Sequence, residues 1–268
     1  MVKLGMIGLG HMARLVMDIW KESPEPKPHI VGVQVLPTSL ESARAYMGES
    51  VPVVDNLEDL LALGPDVVME CATQGALRAN GPEILRRGRD LLVISNGALA
   101  DEKLLGELRE ATRQGRSRLL VPSGAVGAMD VLAAARLGGL DEVRQSLSKP
   151  PRSWKNTRAE ENINLDALTE RICVFSGSAR EASALFPQNA NVTATVALAG
   201  VGFDKSRVEL FADPSLTGPV HVIDAKGAFG TLHFELQGVS LPDNPKTSLL
   251  AGLSLANSML NLESWIRL

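Results

Sequence analysis

The pattern of apolar and polar positions predicts strands that alternate with helices over the first half of the chain. Val2 to Ile7 is a short apolar run, and apolar residues then recur at helical spacing in the stretch that ends at Trp20. The next predicted strands are residues 30–36, 51–54, 65–70, 90–94 and 118–122, and the next predicted helices are residues 40–47, 56–63, 76–87 and 101–114. This alternation is typical of a parallel, doubly wound sheet with right-handed crossovers.

A different pattern begins after Gly127. The polar residues 149–164 predict a surface loop or a flexible lid, and Ser178-Ala-Arg-Glu181 matches a capping box that opens a helix to Leu185. The other predicted elements are strands at residues 142–147, 206–212, 221–226 and 231–237 and helices at residues 128–137, 192–199 and 249–266. The alternation in the last three strands predicts an antiparallel sheet, so we expect a second domain of mixed α and β structure.

A glycine-rich turn joins the first predicted strand to the first helix. Gly8-Leu-Gly10-His-Met-Ala13 has the spacing G-x-G-x-x-A, a variant of the dinucleotide-binding fingerprint. The first glycine permits a tight turn, the second lets the backbone approach a pyrophosphate, and Ala13 lets the helix pack closely on the strand. The helix N-terminus offers free N–H groups to the phosphates. We therefore expect a nicotinamide or flavin dinucleotide to contact this turn, including His11 and Met12; the alternative is an ordinary turn that uses glycine for its geometry.

The end of the second predicted strand bears on the choice between NAD and NADP. An acidic residue is typical of NAD-binding proteins there, but this strand ends Val35-Leu-Pro-Thr-Ser39. Without a carboxylate to repel a 2′-phosphate, and with the hydroxyls of Thr38 and Ser39 as contacts and Arg44 as a nearby charge, we expect either NAD or NADP to bind. The alternative is that backbone and water hold the ribose.

Three further loops follow strand ends and combine small and polar residues. They are residues 70–74, 95–98 and 123–127. Ligands of such sheets bind beyond the carboxyl ends of the strands. Each loop by itself is more often a simple turn, but together they predict a cofactor wall. The residues expected to contact the cofactor in the first two loops are Cys71, Ala72, Asn96 and Gly97.

Composition restricts the functional class. The chain has a net charge of −4, 45% hydrophobic and 22% charged residues, and no basic run, so nucleic acid is not an expected partner. No segment approaches the ~20 apolar residues that span a bilayer, and the N-terminus lacks a signal-peptide pattern. The two cysteines and four histidines are not clustered, so no metal is expected. We expect a cytoplasmic enzyme with reduced thiols.

Histidine is a frequent choice for the proton transfers that accompany hydride transfer. His11 lies in the glycine turn and His29 in a proline-rich loop that we expect at the surface. His221 and His233 lie on predicted strands of the second domain, and periodicity does not distinguish between them.

Several motifs together resemble the L-aspartate dehydrogenases that are linked to NAD biosynthesis. The most specific are residues 186–199 (FPQNANVTATVALA), residues 212–214 (ADP) followed by His221, and residues 244–248 (NPKTS). Residues 123–128 (SGAVGA) also fit the family. The resemblance covers nearly the whole chain.

The resemblance implies a Rossmann-type doubly wound parallel sheet, a second α+β catalytic domain, and a C-terminal helix that returns to the first domain. The corresponding segments are residues 1–125, residues 126–243, which would also form the dimer contact, and residues 244–268. A homodimer is the assembly that the family leads us to expect.

Matched motif by motif, the resemblance makes His221 the catalytic histidine. It places cofactor contacts at Ala125 and Asn191, with Asn189 as an alternative for that segment. The residues that we expect to meet a dicarboxylate substrate are Asn189, Lys246, Thr247 and Ser248. The alternative for residues 244–248 is that they merely start the last helix.

The implied reaction is hydride transfer from Cα of L-aspartate to a nicotinamide, which gives iminoaspartate and then oxaloacetate and ammonia. The reverse reaction is a reductive amination. His221 would accept a proton or activate water. The alternatives are another reductase on this fold, such as a dihydrodipicolinate reductase-like or sugar dehydrogenase-like enzyme, and a binding protein that senses the dinucleotide ratio.

Overall fold

The computed structural model describes residues 1–24, 26–241 and 244–266, without the side chains of residues 244–247. It divides into two compact units. The first comprises Met1–Pro122 and Gly252–Leu268, and the second comprises Ser123–Ala251. The first unit therefore ends at Pro122 rather than at residue 125, and the chain rejoins it at Gly252 rather than at residue 244.

The strands of the first unit form one parallel sheet in the order β3-β2-β1-β4-β5-β6. They are β1 (Lys3–Ile7), β2 (His29–Gln34), β3 (Val53–Val54), β4 (Val67–Glu70), β5 (Asp90–Val93) and β6 (Leu119–Leu120). This is the doubly wound order of dinucleotide-binding domains, with the change of direction between β1 and β4. The fold class predicted from the alternation of strands and helices is confirmed.

The helices of the first unit connect these strands and cover the sheet. They are α1 (His11–Glu22), α2 (Leu40–Met47), α3 (Leu57–Ala62), α4 (Gln74–Arg86) and α5 (Glu102–Gly115). All four residues of β4 are buried, as expected for a central strand that is covered on both faces. Asn56 and Asp101, the first residues of two predicted helices, cap α3 and α5 by accepting backbone N–H groups.

The chain ends in helix α9 (Leu249–Leu260), which from Gly252 onwards belongs to the first unit. Leu255 and Met259 are buried in the same core as α1, and the indole of Trp20 donates a hydrogen bond of 3.2 Å to the carbonyl of Ala256. The helix is shorter than predicted, because turns replace it after Leu260. In the part of the chain that is described, no helix has both the length and the apolar character needed to cross a membrane.

The second unit is built on a five-stranded sheet in the order β11-β10-β7-β9-β8. Its strands and helices, including a short separate hairpin of β12 and β13, are α6 (Met129–Gly138), β7 (Leu140–Lys149), β8 (Ile172–Ser178), α7 (Ala179–Leu185), α8 (Ala190–Ala199), β9 (Arg207–Ala212), β10 (Val220–Gly227), β11 (Gly230–Gln237), β12 (Ser240–Leu241) and β13 (Asn244–Ser248). The predicted capping box is present, since Ser178 and Glu181 bond to each other's backbone N–H groups.

The predicted antiparallel pairing is confirmed for β10 and β11, but the sheet as a whole is mixed. Strand β7 lies between β9 and β10, and it pairs antiparallel with β10 but parallel with β9. Alternation along a strand shows which side chains share a face, but it does not show which strands are neighbours. Strand β8 was not predicted, because its residues lack a clear alternation.

Residues 149–164, for which a surface loop or a flexible lid was predicted, are mostly not buried, but they contain short helical turns. Residue 149 ends β7, and short 3₁₀ helices follow at Pro151–Trp154 and Arg158–Glu161. Trp154 is fully buried, donates a 3.1 Å hydrogen bond to the carbonyl of Phe211 and meets the ring of Phe186 edge-on at 5.9 Å. One buried aromatic residue therefore anchors a segment whose other residues are mostly polar.

Candidate dinucleotide cavity and candidate active site

The first glycine of the fingerprint is required by the backbone. Gly8 has φ +89° and donates a hydrogen bond of 2.8 Å to the carbonyl of Gln34. A Cβ at this position would lie 2.8 Å from Cβ of Ala72 and 3.0 Å from the carbonyl oxygen of Cys71. Because β1 and β4 are neighbours, the turn after β1 runs close to the loop after β4, and only glycine fits between them.

The second glycine leaves space for a ligand. Gly10 is the N-cap of α1 and makes no side-chain cap, and a Cβ added there would meet no atom within 4 Å. The first N–H groups of a helix lack partners within the helix, so those of His11, Met12 and Ala13 are available at this open end. Ala13 itself is fully buried in the core. The turn therefore has the geometry that a pyrophosphate requires, with the positive end of a helix dipole beside it.

A cavity of about 660 Å³ extends from this turn along the carboxyl ends of the first unit's strands. Its lining includes Gly8, Gly10, Cys71 and Ala72, which are four of the expected cofactor contacts. His11 is exposed at the first turn of α1, and Asn96 and Gly97 are buried in the 3₁₀ turn that follows β5. The described cavity and the glycine turn fit a dinucleotide.

The cavity lining near the end of β2 differs in detail from the predicted contacts to the ribose. Of the two expected hydroxyls, that of Ser39 belongs to a residue of the lining, whereas Thr38 is exposed and is not part of it; Ser42 lines the cavity as well. The cation in the lining is Arg14 of α1 rather than Arg44. The Arg14 guanidinium lies 4.5 Å from the centre of the Tyr46 ring.

Asp55 also lines the cavity, and sequence reasoning missed it. It directly follows β3, which pairs with β2 in the sheet. An acidic residue was expected at the end of β2 alone. Since the carboxyl ends of parallel strands meet at one edge, the end of β3 was an equally good place to look.

Glu70 is a second residue that was missed. It is 1% exposed at the end of β4 and accepts hydrogen bonds from the N–H of Ala72 at 2.8 Å and the hydroxyl of Ser95 at 2.9 Å. The N–H of Ser95 donates to its other oxygen at 3.2 Å. Burial raises the pKa of Glu70, while these hydrogen bonds oppose that rise. One buried side chain thus joins two of the three loops that were expected to contact the cofactor.

In the second unit, the structure distinguishes between the two histidines that lie on strands. His221 is 3% exposed on β10, between Leu147 of β7 and Leu236 of β11. His233 is exposed, and its Nδ1 lies 2.7 Å from a carboxylate oxygen of Asp224, which raises the pKa of His233.

The imidazole of His221 is held in its neutral form. Burial, with a smaller contribution from the positive charge of Lys149, lowers the pKa of His221 to about 3. Its Nδ1 is buried and has no hydrogen-bond partner among the residues that the structure describes. A buried ring nitrogen without a partner is costly unless a ligand satisfies it, so His221 is a strong candidate for contact with a substrate.

Lys149 was not among the predicted site residues. It ends β7, and its Nζ donates a hydrogen bond of 2.6 Å to the side-chain oxygen of Asn189, which directly precedes α8. The predicted strand stopped at residue 147. An extension of the same alternation by two residues would have placed Lys149 on the face of Leu147.

The remaining expected contacts lie in three places in the second unit. Ala125 is buried in a turn, and Asn191 is exposed in the first turn of α8. Residues 244–248 form β13, so they do not start the last helix, and Ser248 pairs with Ser240 of β12. The side chains of Lys246 and Thr247 lie outside the described residues.

Comparison with known proteins gives consistent results for both units. Residues 130–262 match a family model described as aspartate dehydrogenase, C-terminal, and residues 8–122 match one described as homoserine dehydrogenase, NAD binding domain. The chain is 41% identical to a protein from Cupriavidus necator named L-aspartate dehydrogenase, over 97% of both chains. It is 44% identical to a protein of the same name from Serratia proteamaculans, over 98% of this chain and 97% of that protein.

The fold is also similar to a solved structure. The crystal structure of aspartate dehydrogenase from Thermotoga maritima matches 100% of this chain and 99% of its own, with a TM-score of 0.76 and 25% sequence identity.

The substitutions Gly8→Ala and Gly10→Ala form a matched pair that tests the cavity. In Gly8→Ala the new methyl group meets Ala72 and the positive φ is strained, so we expect the free energy of unfolding to fall by about 1–3 kcal/mol. In Gly10→Ala the methyl group enters open space, so the loss should stay below about 1 kcal/mol. The dissociation constant for a nicotinamide dinucleotide should nevertheless rise at least about tenfold, because the methyl group occupies the approach of the pyrophosphate.

Urea denaturation and fluorescence titration measure the two effects separately. Undiminished dinucleotide affinity in a folded Gly10→Ala protein would contradict the placement of the pyrophosphate at this turn.

Proposed function

We propose that this chain, which belongs to the aspartate dehydrogenase family, oxidises L-aspartate with NAD or NADP to iminoaspartate. Hydrolysis then gives oxaloacetate and ammonia, and reductive amination is the reverse reaction. The observation that carries the proposal is the buried, neutral His221 in the unit that matches the aspartate dehydrogenase model. The dinucleotide cavity of the first unit supports the cofactor requirement.

The first unit supplies the groups that would hold the dinucleotide. The open N-terminus of α1 would take the pyrophosphate, since Gly10 leaves space for it and the helix dipole favours negative charge. Glu70 would keep Ala72 and the loop at Asn96 and Gly97 in position. When bound, the nicotinamide ring accepts the hydride that leaves Cα of the substrate. Ala125 and Asn191 are proposed as further cofactor contacts by resemblance to the family.

The second unit supplies the proton chemistry. The ammonium group of L-aspartate must lose a proton before the hydride can leave Cα, because the nitrogen lone pair forms the new C=N bond. His221 is neutral at physiological pH and has a buried nitrogen that can accept this proton. The same imidazole can take a proton from water during hydrolysis of the imine. We propose that Asn189, Lys246, Thr247 and Ser248 contribute to the site for the dicarboxylate.

A substrate panel tests the proposal directly. The purified protein is incubated with NAD or NADP and with L-aspartate, D-aspartate, L-glutamate, L-alanine or L-malate, and the absorbance of the reduced nicotinamide is recorded. We expect a signal with L-aspartate alone. In His221→Asn, turnover should fall on the order of 10²–10⁴-fold with dinucleotide binding retained, whereas His233→Asn should match the wild type.

Equal turnover in His221→Asn and the wild type would remove His221 from the mechanism. If the wild type binds a dinucleotide but reduces it with none of these compounds, L-aspartate is rejected as the substrate.

Asp55 provides a test of cofactor choice. Like Arg14 it lines the cavity, and its carboxylate would repel the 2′-phosphate of NADP. In Asp55→Asn we expect the ratio of kcat/KM with NADP to kcat/KM with NAD to rise roughly fivefold, the effect of removing about 1 kcal/mol of repulsion. Asp18→Asn, a substitution of the same type on α1 outside the lining, is the matched control. An unchanged ratio in Asp55→Asn would place the ribose elsewhere.

We also propose a cytoplasmic homodimer that serves pyridine nucleotide biosynthesis, as the resemblance to the family implies. The support for the homodimer is the resemblance to the family alone. Light scattering should give twice the mass of one chain, and a single-chain mass at all protein concentrations would contradict the dimer.

A further inference from the structure

Lys149 and His221 are placed together by the register of two neighbouring strands. His221 of β10 lies directly opposite Leu147 of β7, and Lys149 is two residues further along β7. Since side chains alternate between the faces of a sheet, Leu147 and Lys149 point to the same face, and Lys149 is a diagonal neighbour of His221. A sheet of five strands holds this relation rigidly.

The ammonium group of Lys149 is fixed in this place. Its Nζ donates a hydrogen bond of 2.6 Å to the side-chain oxygen of Asn189, which is itself buried. A lysine has a long flexible side chain, so an ammonium that acts at one position needs such a partner. Asn189 stands at the start of α8, where the short 3₁₀ turn Pro187–Asn189 delivers it to the end of β7.

The surroundings of His221 contain no other charge that acts on it among the described residues. On this face its neighbours across the sheet are Leu147 on β7 and Leu236 on β11. Helix α8 (Ala190–Ala199) carries no charged residue. The charges of Asp224 and His233 belong to the opposite, exposed face of the sheet. Lys149 is therefore the charged group to which the imidazole responds.

We propose that Lys149 is a positioning residue whose ammonium, held by Asn189, adds to the effect of burial by disfavouring the imidazolium of His221 until an anionic amino acid binds. This inference rests on the proposed function. A substrate that touches His221 brings its carboxylates within reach of Lys149, and their negative charge offsets that of the ammonium. The pKa of the imidazole therefore rises when the substrate is bound. His221 can then accept the proton that the substrate ammonium loses.

The substitutions Lys149→Met and Lys149→Arg test this role, with Lys226→Met as the matched control. Lys226 is an exposed lysine on β10, on the opposite face from His221. The first measurement is an NMR titration of the histidine ring signals in the substrate-free protein. The chain has four histidines, and His221→Asn assigns the signal of interest.

In the wild type we expect no titration of His221 over the physiological range, since its pKa lies at about 3. In Lys149→Met the pKa should rise, but it should stay below its ordinary value because burial, the larger cause, remains. In Lys149→Arg and Lys226→Met the pKa of His221 should stay as low as in the wild type. An unchanged pKa in a folded Lys149→Met protein would overturn the proposal.

The second measurement is the dependence of kcat/KM for L-aspartate on pH, which reports groups of the free enzyme. In Lys149→Met we expect kcat/KM to fall by about 10- to 100-fold, as for a lost charge-assisted hydrogen bond, and its acidic limb to move to higher pH. Lys149→Arg should recover most of this loss, and Lys226→Met should show none. Equal profiles in Lys149→Met and the wild type would overturn the proposal.

Failure of this proposal is distinguishable from failure of the proposed function. If the wild type does not oxidise L-aspartate, the function fails, while the NMR titration still decides whether Lys149 acts on His221. If Lys149→Met does not fold, Asn189→Ala keeps the charge but releases the ammonium. A rise in the pKa of His221 is then expected, and no change would overturn the role of the Lys149–Asn189 pair.

Discussion

The proposed chemistry of this chain depends on the desolvation of one imidazole. His221 lies inside the second unit between two leucines of adjacent strands, with a lysine ammonium on the same face. Burial and the positive charge both disfavour the imidazolium, and burial is the larger of the two. In the proposed mechanism, this unprotonated imidazole with its unsatisfied buried nitrogen accepts the substrate's proton once the bound anion offsets the charge of the ammonium. The rest of the second unit, from the register of β7 and β10 to the Trp154 anchor, holds strands and loops in the arrangement that creates this environment.

The first unit presents backbone N–H groups to an anionic ligand at the edge of a parallel sheet. The switch point between β1 and β4 brings two loops so close together that Gly8 has no room for a side chain. Glu70 then uses a buried carboxylate to tie the loop after β4 to the loop after β5. Backbone geometry thus shapes the dinucleotide cavity, and its few charged side chains, Arg14 and Asp55, lie where they can influence the choice of cofactor.

Local signals in the sequence were sufficient for much of the fold. The glycine turn, the caps Asn56 and Asp101 and the capping box at Ser178 were all predictable, because each depends on residues that are near one another in the chain. The parallel pairing of β7 with β9 was not predictable, because it depends on contacts between distant segments. The same reason explains why Asp55 and Lys149 were missed. Each becomes part of a site only through a neighbouring strand.

In the proposed reaction the hydride comes from Cα of L-aspartate. The most direct measurement uses L-aspartate deuterated at Cα and the oxidised dinucleotide, with the reduced dinucleotide analysed by mass spectrometry. We expect the reduced dinucleotide to carry the deuterium, and turnover with the deuterated substrate to be slower wherever hydride transfer limits the rate. A reduced dinucleotide without deuterium, or no reduction by L-aspartate at all, would contradict the proposed reaction.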